Sequence, residues 1–105
     1  MRQPLAAYWP PAGPRHTLAN FHNGLSASVY LLRCSDDSLY CGWTTDVERR
    51  LKAHNAGKAS QYTSRRLPVQ LVYARQMSDR SAAMREEARI KRLSRLEKLA
   101  LVPPI

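Results

Sequence analysis

Residues 28–54 read SVYLLRCSDDSLYCGWTTDVERRLKAH, and how that stretch folds decides the rest. Two short runs rich in β-formers, Val29-Tyr30-Leu31-Leu32 and Leu39-Tyr40-Cys41, flank Ser35-Asp36-Asp37-Ser38, whose short polar side chains suit a tight turn. The pattern predicts a β-hairpin. Its loop length decides where two tyrosines point, because side chains alternate along each strand and opposed residues share a face. A two-residue turn at Asp36-Asp37 pairs Cys34 with Leu39 and sends Tyr30 and Tyr40 to opposite faces. A three-residue loop over 35–37 pairs Leu32 with Tyr40 and brings Tyr30 to the same face. Such a loop needs a left-handed residue at its third position, and Asp37 is one of the few side chains that tolerates it. The longer loop is the expectation.

The next segment carries helix signals. Thr45-Asp46-Val47-Glu48 fits a capping box in which Thr45 caps the first turn and Glu48 reaches back to it. Asp46 suits the positive end of the dipole, and Asn55-Ala56-Gly57 supplies the stop. At about 100° per residue, Val47, Arg50, Leu51 and His54 fall within roughly a third of a turn, while Arg49 points nearly the opposite way. Arg50 and His54 are therefore expected on the packed side.

Taken in order, Tyr30, then Tyr40-Cys41-Gly42-Trp43-Thr44, then Asp46-Val47-Glu48-Arg49-Arg50-Leu51 and His54-Asn55 resemble the GIY-YIG nuclease family, particularly its small single-domain bacterial members. The resemblance continues through Tyr62-Thr63, Pro68-Val69, Leu71-Val72-Tyr73 and the pattern Ala83-x-x-x-Glu87-x-x-Ile90-Lys91-Arg92-Leu93. The first namesake motif reads Ser28-Val29-Tyr30, without its Gly and Ile, and the second reads Tyr40-Cys41-Gly42. The tyrosines and the second glycine are kept while packing positions have drifted.

Around this core the chain divides simply. Residues 1–27 hold Pro4, Pro10, Pro11 and Pro14 with scattered aromatics and no sustained period, the pattern of a flexible arm. Residues 28–102 are expected to form one domain and residues 103–105 a short tail. Residues 58–66 form a basic connection, which the resemblance makes a short helix and loop. Residues 69–77 alternate with Val69, Leu71 and Tyr73 on one side, the third strand. Ser78-Asp79 opens a further helix, and the chain bends near Leu93-Ser94 into a last one. The fold class expected is α/β in the α+β sense: a small three-stranded antiparallel sheet flanked by helices.

Charge narrows the function. Lys and Arg outnumber Asp and Glu by 17 to 8. Two of the 17 bases and none of the 8 acids lie in residues 1–27, so the arm carries +2 and the remainder +7. An arginine-rich excess concentrated on the fold favours a phosphate-rich partner, DNA first and RNA as the alternative. The two cysteines lack metal-ligand spacing and fall on different faces of the hairpin in either register, so both are expected to be reduced. No run reaches the roughly 20 apolar residues of a membrane span, and the N-terminus lacks an apolar signal core. The expectation is a cytoplasmic protein with no membrane partner.

Hydrolysing a phosphodiester takes an activated water, charge stabilisation on the phosphoryl oxygens and help for the leaving oxygen. The resemblance implies Tyr30 or Tyr40 as general base, Arg50 as the cation facing the developing charge and His54 as a proton relay or phosphate ligand. It also implies Glu87 as the carboxylate holding a single divalent cation, Mg²⁺ or Mn²⁺. One carboxylate plus waters matches the coordination habits of magnesium. Helical period alone places Glu86 and Glu87 on neighbouring flanks of Ile90; only the family spacing selects Glu87. A glutamate four residues before a lysine, here Lys91, is also an ordinary helix pair. Lys58, Arg65, Arg66, Arg85, Arg89, Lys91 and Arg92 are the expected phosphate contacts, although an arginine stripe is also the pattern of a solvated face. The function expected is a metal-dependent DNA endonuclease of repair or recombination that selects by structure. The alternative is a catalytically weak nucleic-acid-binding module of the same fold.

Overall fold

The structure, a computed structural model, describes residues 26–103. Its hairpin joins β1 (Ala27–Arg33) to β2 (Leu39–Thr44) in the register of the longer loop, with Leu32 opposite Tyr40 and Tyr30 opposite Gly42. Asp37 adopts the left-handed φ of 68° that this loop demands. Asp36 braces the turn by accepting from the Ser38 backbone and hydroxyl at 3.0 and 2.6 Å. Two distant arginine positions anchor it further. The Ser35 amide donates to the Arg66 carbonyl at 2.9 Å, and Arg95 donates to the Asp37 carbonyl at 2.9 Å.

Strand β3 (Gln70–Met77) pairs antiparallel with the other side of β1, giving the order β2-β1-β3 and leaving β2 at an edge. Leu31 faces Tyr73 and Leu32 faces Leu71, so Val72 is an extra residue, a β-bulge. The bulge corrects the simple alternation expected over residues 69–77. Val69 and Leu71 pack on one face, but Val72 and Tyr73 both join the other.

Helices cover both faces. Against the first lies α1 (Val47–Asn55), followed by the one-turn α2 (Gln61–Ser64); there Tyr30, Leu32, Cys34, Val47, Val69 and Leu71 form a buried cluster. Against the second lie α3 (Arg80–Lys91) and α4 (Arg95–Leu99), around Val29, Leu31, Cys41, Val72 and Ile90. Cys34 and Cys41 are free, buried and on opposite faces. The arm expected over residues 1–27 lies outside the described residues except for its last two, and β1 already begins at Ala27. Residues 104–105 of the tail lie outside them too. No helix among the described residues is long and apolar enough to cross a membrane.

The cap of α1 corrects the expected capping box. Asp46, not Thr45, is the N-cap; its carboxylate accepts the Arg49 amide at 3.1 Å, while the Thr44 hydroxyl takes the Asp46 amide at 3.1 Å. Asp46 is the extended residue immediately before the helix, and aspartate outranks threonine as a cap. A full capping box occurs instead at α4, between Ser94 and Glu97. The end of α1 is pinned by Asn55, which accepts the Val69 amide at 2.8 Å and donates to the Val69 carbonyl at 3.1 Å. Asn55→Ala strips both partners from the buried Val69 backbone just before β3 and is expected to lower stability by about 1–3 kcal/mol, read from urea midpoints.

Candidate active site

The site starts from an absence of side chain. Gly42 sits opposite Tyr30 on the neighbouring strand, and the tyrosine ring crosses it. A Cβ at Gly42 would stand 2.5 Å from the Tyr30 hydroxyl and 2.7 Å from Cζ, so any other residue must displace the ring. With that path open, Tyr30 reaches helix α1 and its hydroxyl lies 2.9 Å from Nε2 of His54. The other ring nitrogen, Nδ1, is 2.8 Å from the hydroxyl of Thr63 on α2. His54 and Thr63 are both fully buried. Tyr40, half-buried on the same face, sets its ring edge against His54 with centroids 5.2 Å apart and stacks on Tyr62 at 6.0 Å.

Burial sets the protonation states. It pushes the Tyr30 phenol up to about 12, against the opposing hydrogen bond and charge of Arg50. It holds His54 down at about 4, with the Arg50 charge adding to the effect. At neutral pH the pair is therefore a protonated phenol and a neutral imidazole. Arg50 itself is exposed, which corrects its placement on the packed side; Val47 and His54 are buried there and Leu51 half-buried. Its guanidinium nevertheless acts on both Tyr30 and His54, and Arg49, also exposed, acts on neither.

The depressed His54 value has a stability consequence. Because the unfolded chain takes up this proton first, the contribution is complete above about 6.5 and is lost as pH falls towards about 4. The full loss is about 3 kcal/mol. Urea midpoints compared between pH 7 and pH 4.5 are expected to fall more in the parent than in His54→Gln.

Glu87 approaches from the other layer. Its carboxylate, 21 % exposed, lies 3.4 Å from Lys91 on α3. After burial, its charge is the next cause that raises the Cys41 thiol to about 12. Cys41 adjoins Gly42, so only the edge strand β2 separates this carboxylate from the tyrosine face. Glu86 is differently engaged: Arg89 grips it at 2.9 and 2.7 Å and Arg75 approaches at 3.8 Å, holding its carboxyl below the ordinary range. The structure thus gathers Tyr30, Tyr40, Arg50 and His54 on one face and sets Glu87 across β2. Among the described residues no three His, Cys, Asp or Glu side chains cluster as metal ligands.

The expected phosphate contacts divide in the same way. Lys58, Arg65 and Arg66 flank α2 beside the tyrosines, whereas Arg85, Arg89, Lys91 and Arg92 belong to α3 and its cap. Arg66 is engaged within the fold: it pairs with Asp36 at 3.0 Å, donates to the Tyr62 carbonyl and lies 3.8 Å from the Tyr62 ring centre. Arg85 donates to Ser81, Arg89 holds Glu86 and Lys91 meets Glu87. Among the described residues Lys58, Arg65 and Arg92 enter no ion pair. Thr63 received no role from the sequence, although Ser60 three residues before it is of the type that caps a helical turn. Ser60 indeed caps α2, accepting the Thr63 amide at 3.1 Å.

The family model of the GIY-YIG catalytic domain matches residues 26–100. The chain belongs to this family, which is one of nucleases; the domain implies a nucleic-acid substrate, and nucleases of this type generally use divalent metal ions. Among its relatives is a UPF0213 protein of Staphylococcus haemolyticus, 51 % identical over 74 residues that cover 70 % of this chain and 90 % of that protein. A UPF0213 protein of Natronomonas pharaonis is 50 % identical over 74 residues, covering 70 % and 87 %. A solution NMR structure of the UPF0213 protein BH0048 from Bacillus halodurans is 44 % identical, with a TM-score of 0.48 over 73 % of this chain and 82 % of that one.

Proposed function

We propose that this protein is a metal-dependent endonuclease that hydrolyses DNA phosphodiester bonds, selecting ends, flaps or branches rather than a base sequence, in repair or recombination. The observation that carries the reading is the hydrogen bond between the Tyr30 hydroxyl and a buried, neutral His54, with the Arg50 guanidinium acting on both. With Nε2 as the acceptor, the phenol can take a proton from water while passing its own to Nε2. The hydroxide so formed attacks phosphorus, the bond to the leaving oxygen breaks, and that oxygen receives a proton as the pair resets. Arg50 faces the charge that develops on the phosphoryl oxygens, a task for a fork of donors that never loses its proton.

The donor set fits a hard divalent cation such as Mg²⁺ or Mn²⁺. Glu87 would hold it, because one partly buried carboxylate completed by water suits magnesium and Glu86 is already occupied by two arginines. When bound, the cation supplies further positive charge to the phosphoryl oxygens. Exposed basic groups beside the tyrosines, Lys58 and Arg65, would hold the flanking backbone without reading bases.

Incubating the protein with single-stranded, duplex and branched DNA in Mg²⁺ or Mn²⁺ and resolving the products on gels tests the proposal. Scission of branched or flapped DNA that chelator abolishes is the expected result. Salt-sensitive binding with no scission in either metal would instead mark a binding module.

A further inference from the structure

Thr63 lies within a basic connection, yet it is fully buried and its hydroxyl is 2.8 Å from Nδ1 of His54. We infer that Thr63 is a positioning residue: it fixes His54 in the tautomer with its proton on Nδ1, and thereby turns the Tyr30 hydroxyl proton towards Nε2. Its part in cleavage rests on the nuclease reading above; its effect on the tautomer does not.

The inference follows from counting donors and acceptors. Tyr30 is buried, and among the described residues its hydroxyl has one hydrogen-bond partner, Nε2 of His54. The phenol proton therefore needs an acceptor, and Nε2 of His54 stands 2.9 Å away. If Nε2 accepts, a neutral imidazole carries its proton on Nδ1, which donates to Thr63 Oγ1. The Thr63 hydroxyl in turn has the Ser60 hydroxyl at 3.2 Å and the Ser60 carbonyl at 3.5 Å. Every donor is then satisfied in one direction, from Tyr30 through His54 and Thr63 to Ser60. The reverse order turns Nε2–H upon the Tyr30 oxygen and leaves the buried phenol proton no acceptor among the described residues.

Local backbone geometry keeps Thr63 in place. Ser60 Oγ accepts the Thr63 amide at 3.1 Å, so the cap of α2 sets where the hydroxyl stands. The connection between α1 and β3 is thereby tied to the direction of a proton at the site. The tautomer is opposite to the one that predominates for histidine free in water, which makes it a distinctive signature.

The test uses the full chain labelled with ¹⁵N, and long-range proton–nitrogen correlation on His54 at neutral pH. The parent and Thr63→Ser are expected to show Nδ1 protonated and Nε2 bare, and Thr63→Val to show the reverse. Cleavage of branched DNA by Thr63→Val is expected to fall at least about tenfold, the usual cost of losing a group that orients a functional histidine. Thr63→Ser should restore most of it. A parent with its proton on Nε2 overturns the inference, even if Thr63→Val proves too unstable to study. So does a folded Thr63→Val that keeps the Nδ1 proton. If the parent cuts no DNA at all, the nuclease reading fails, while the nitrogen spectra still decide what Thr63 does.

Discussion

Arg50→Ala is expected to lose about a hundredfold or more of the cleavage rate, and Arg49→Ala to cut nearly as well as the parent. The two side chains are adjacent, equally charged and both exposed, so net charge and DNA attraction change alike in the two variants. Only one of them acts on the tyrosine and histidine of the site. Removing a preorganised donor from a developing oxyanion costs on the order of 10²–10³ in rate. Binding should weaken only modestly in either variant, since the loss falls in transition-state rather than ground-state contact. A second readout checks the geometry without relying on cleavage. Arg50 lowers the pKa of both Tyr30 and His54, so Arg50→Ala should let both rise, and Arg49→Ala should move neither. Equal losses of activity in the two variants would show that the assignment of this helix face is wrong.

What the chain discloses in advance depends on how local the controlling interaction is. The hairpin register was legible because Asp37 is the loop residue able to go left-handed, and one such residue sets the pairing of the whole ladder. Gly42 was legible as a survivor of its motif, but the reason for it, a tyrosine ring lying across it from the next strand, belongs to tertiary structure. The helix start was displaced from Thr45 to Asp46 because two capping residues compete within one turn and the period cannot rank them. The bulge at Val72 was hidden for a related reason: an extra residue leaves the composition of a strand intact while exchanging faces halfway along it. Arg66 shows the limit for charge. A basic residue in a basic loop reads as a phosphate contact, yet its partner Asp36 is thirty positions away in sequence. Thr63 was obscured likewise, since its histidine partner comes from a different helix.

The second large effect separates catalysis from attraction. Glu87→Gln is expected to remove metal-dependent cleavage, by about a hundredfold or more, while DNA affinity measured in chelator stays at the parent level. A carboxylate offers nothing to a phosphate, so losing it cannot weaken metal-free binding. Stability should hardly change, because the partner lost is Lys91 at 3.4 Å, with its side chain 54 % exposed, and such helix pairs contribute only tenths of a kcal/mol. The neighbouring substitution supplies the contrast. Glu86→Gln breaks the two-point grip of Arg89 and the approach of Arg75, so it should perturb the surface of α3 yet leave cleavage nearly intact. Raising the Mg²⁺ or Mn²⁺ concentration should rescue Glu87→Gln only weakly, since an amide oxygen is a poorer ligand for a hard cation than a carboxylate. If Glu87→Gln cut DNA like the parent and Glu86→Gln did not, the cation would belong to Glu86. If both cut like the parent, Glu87 would be only the helix partner of Lys91.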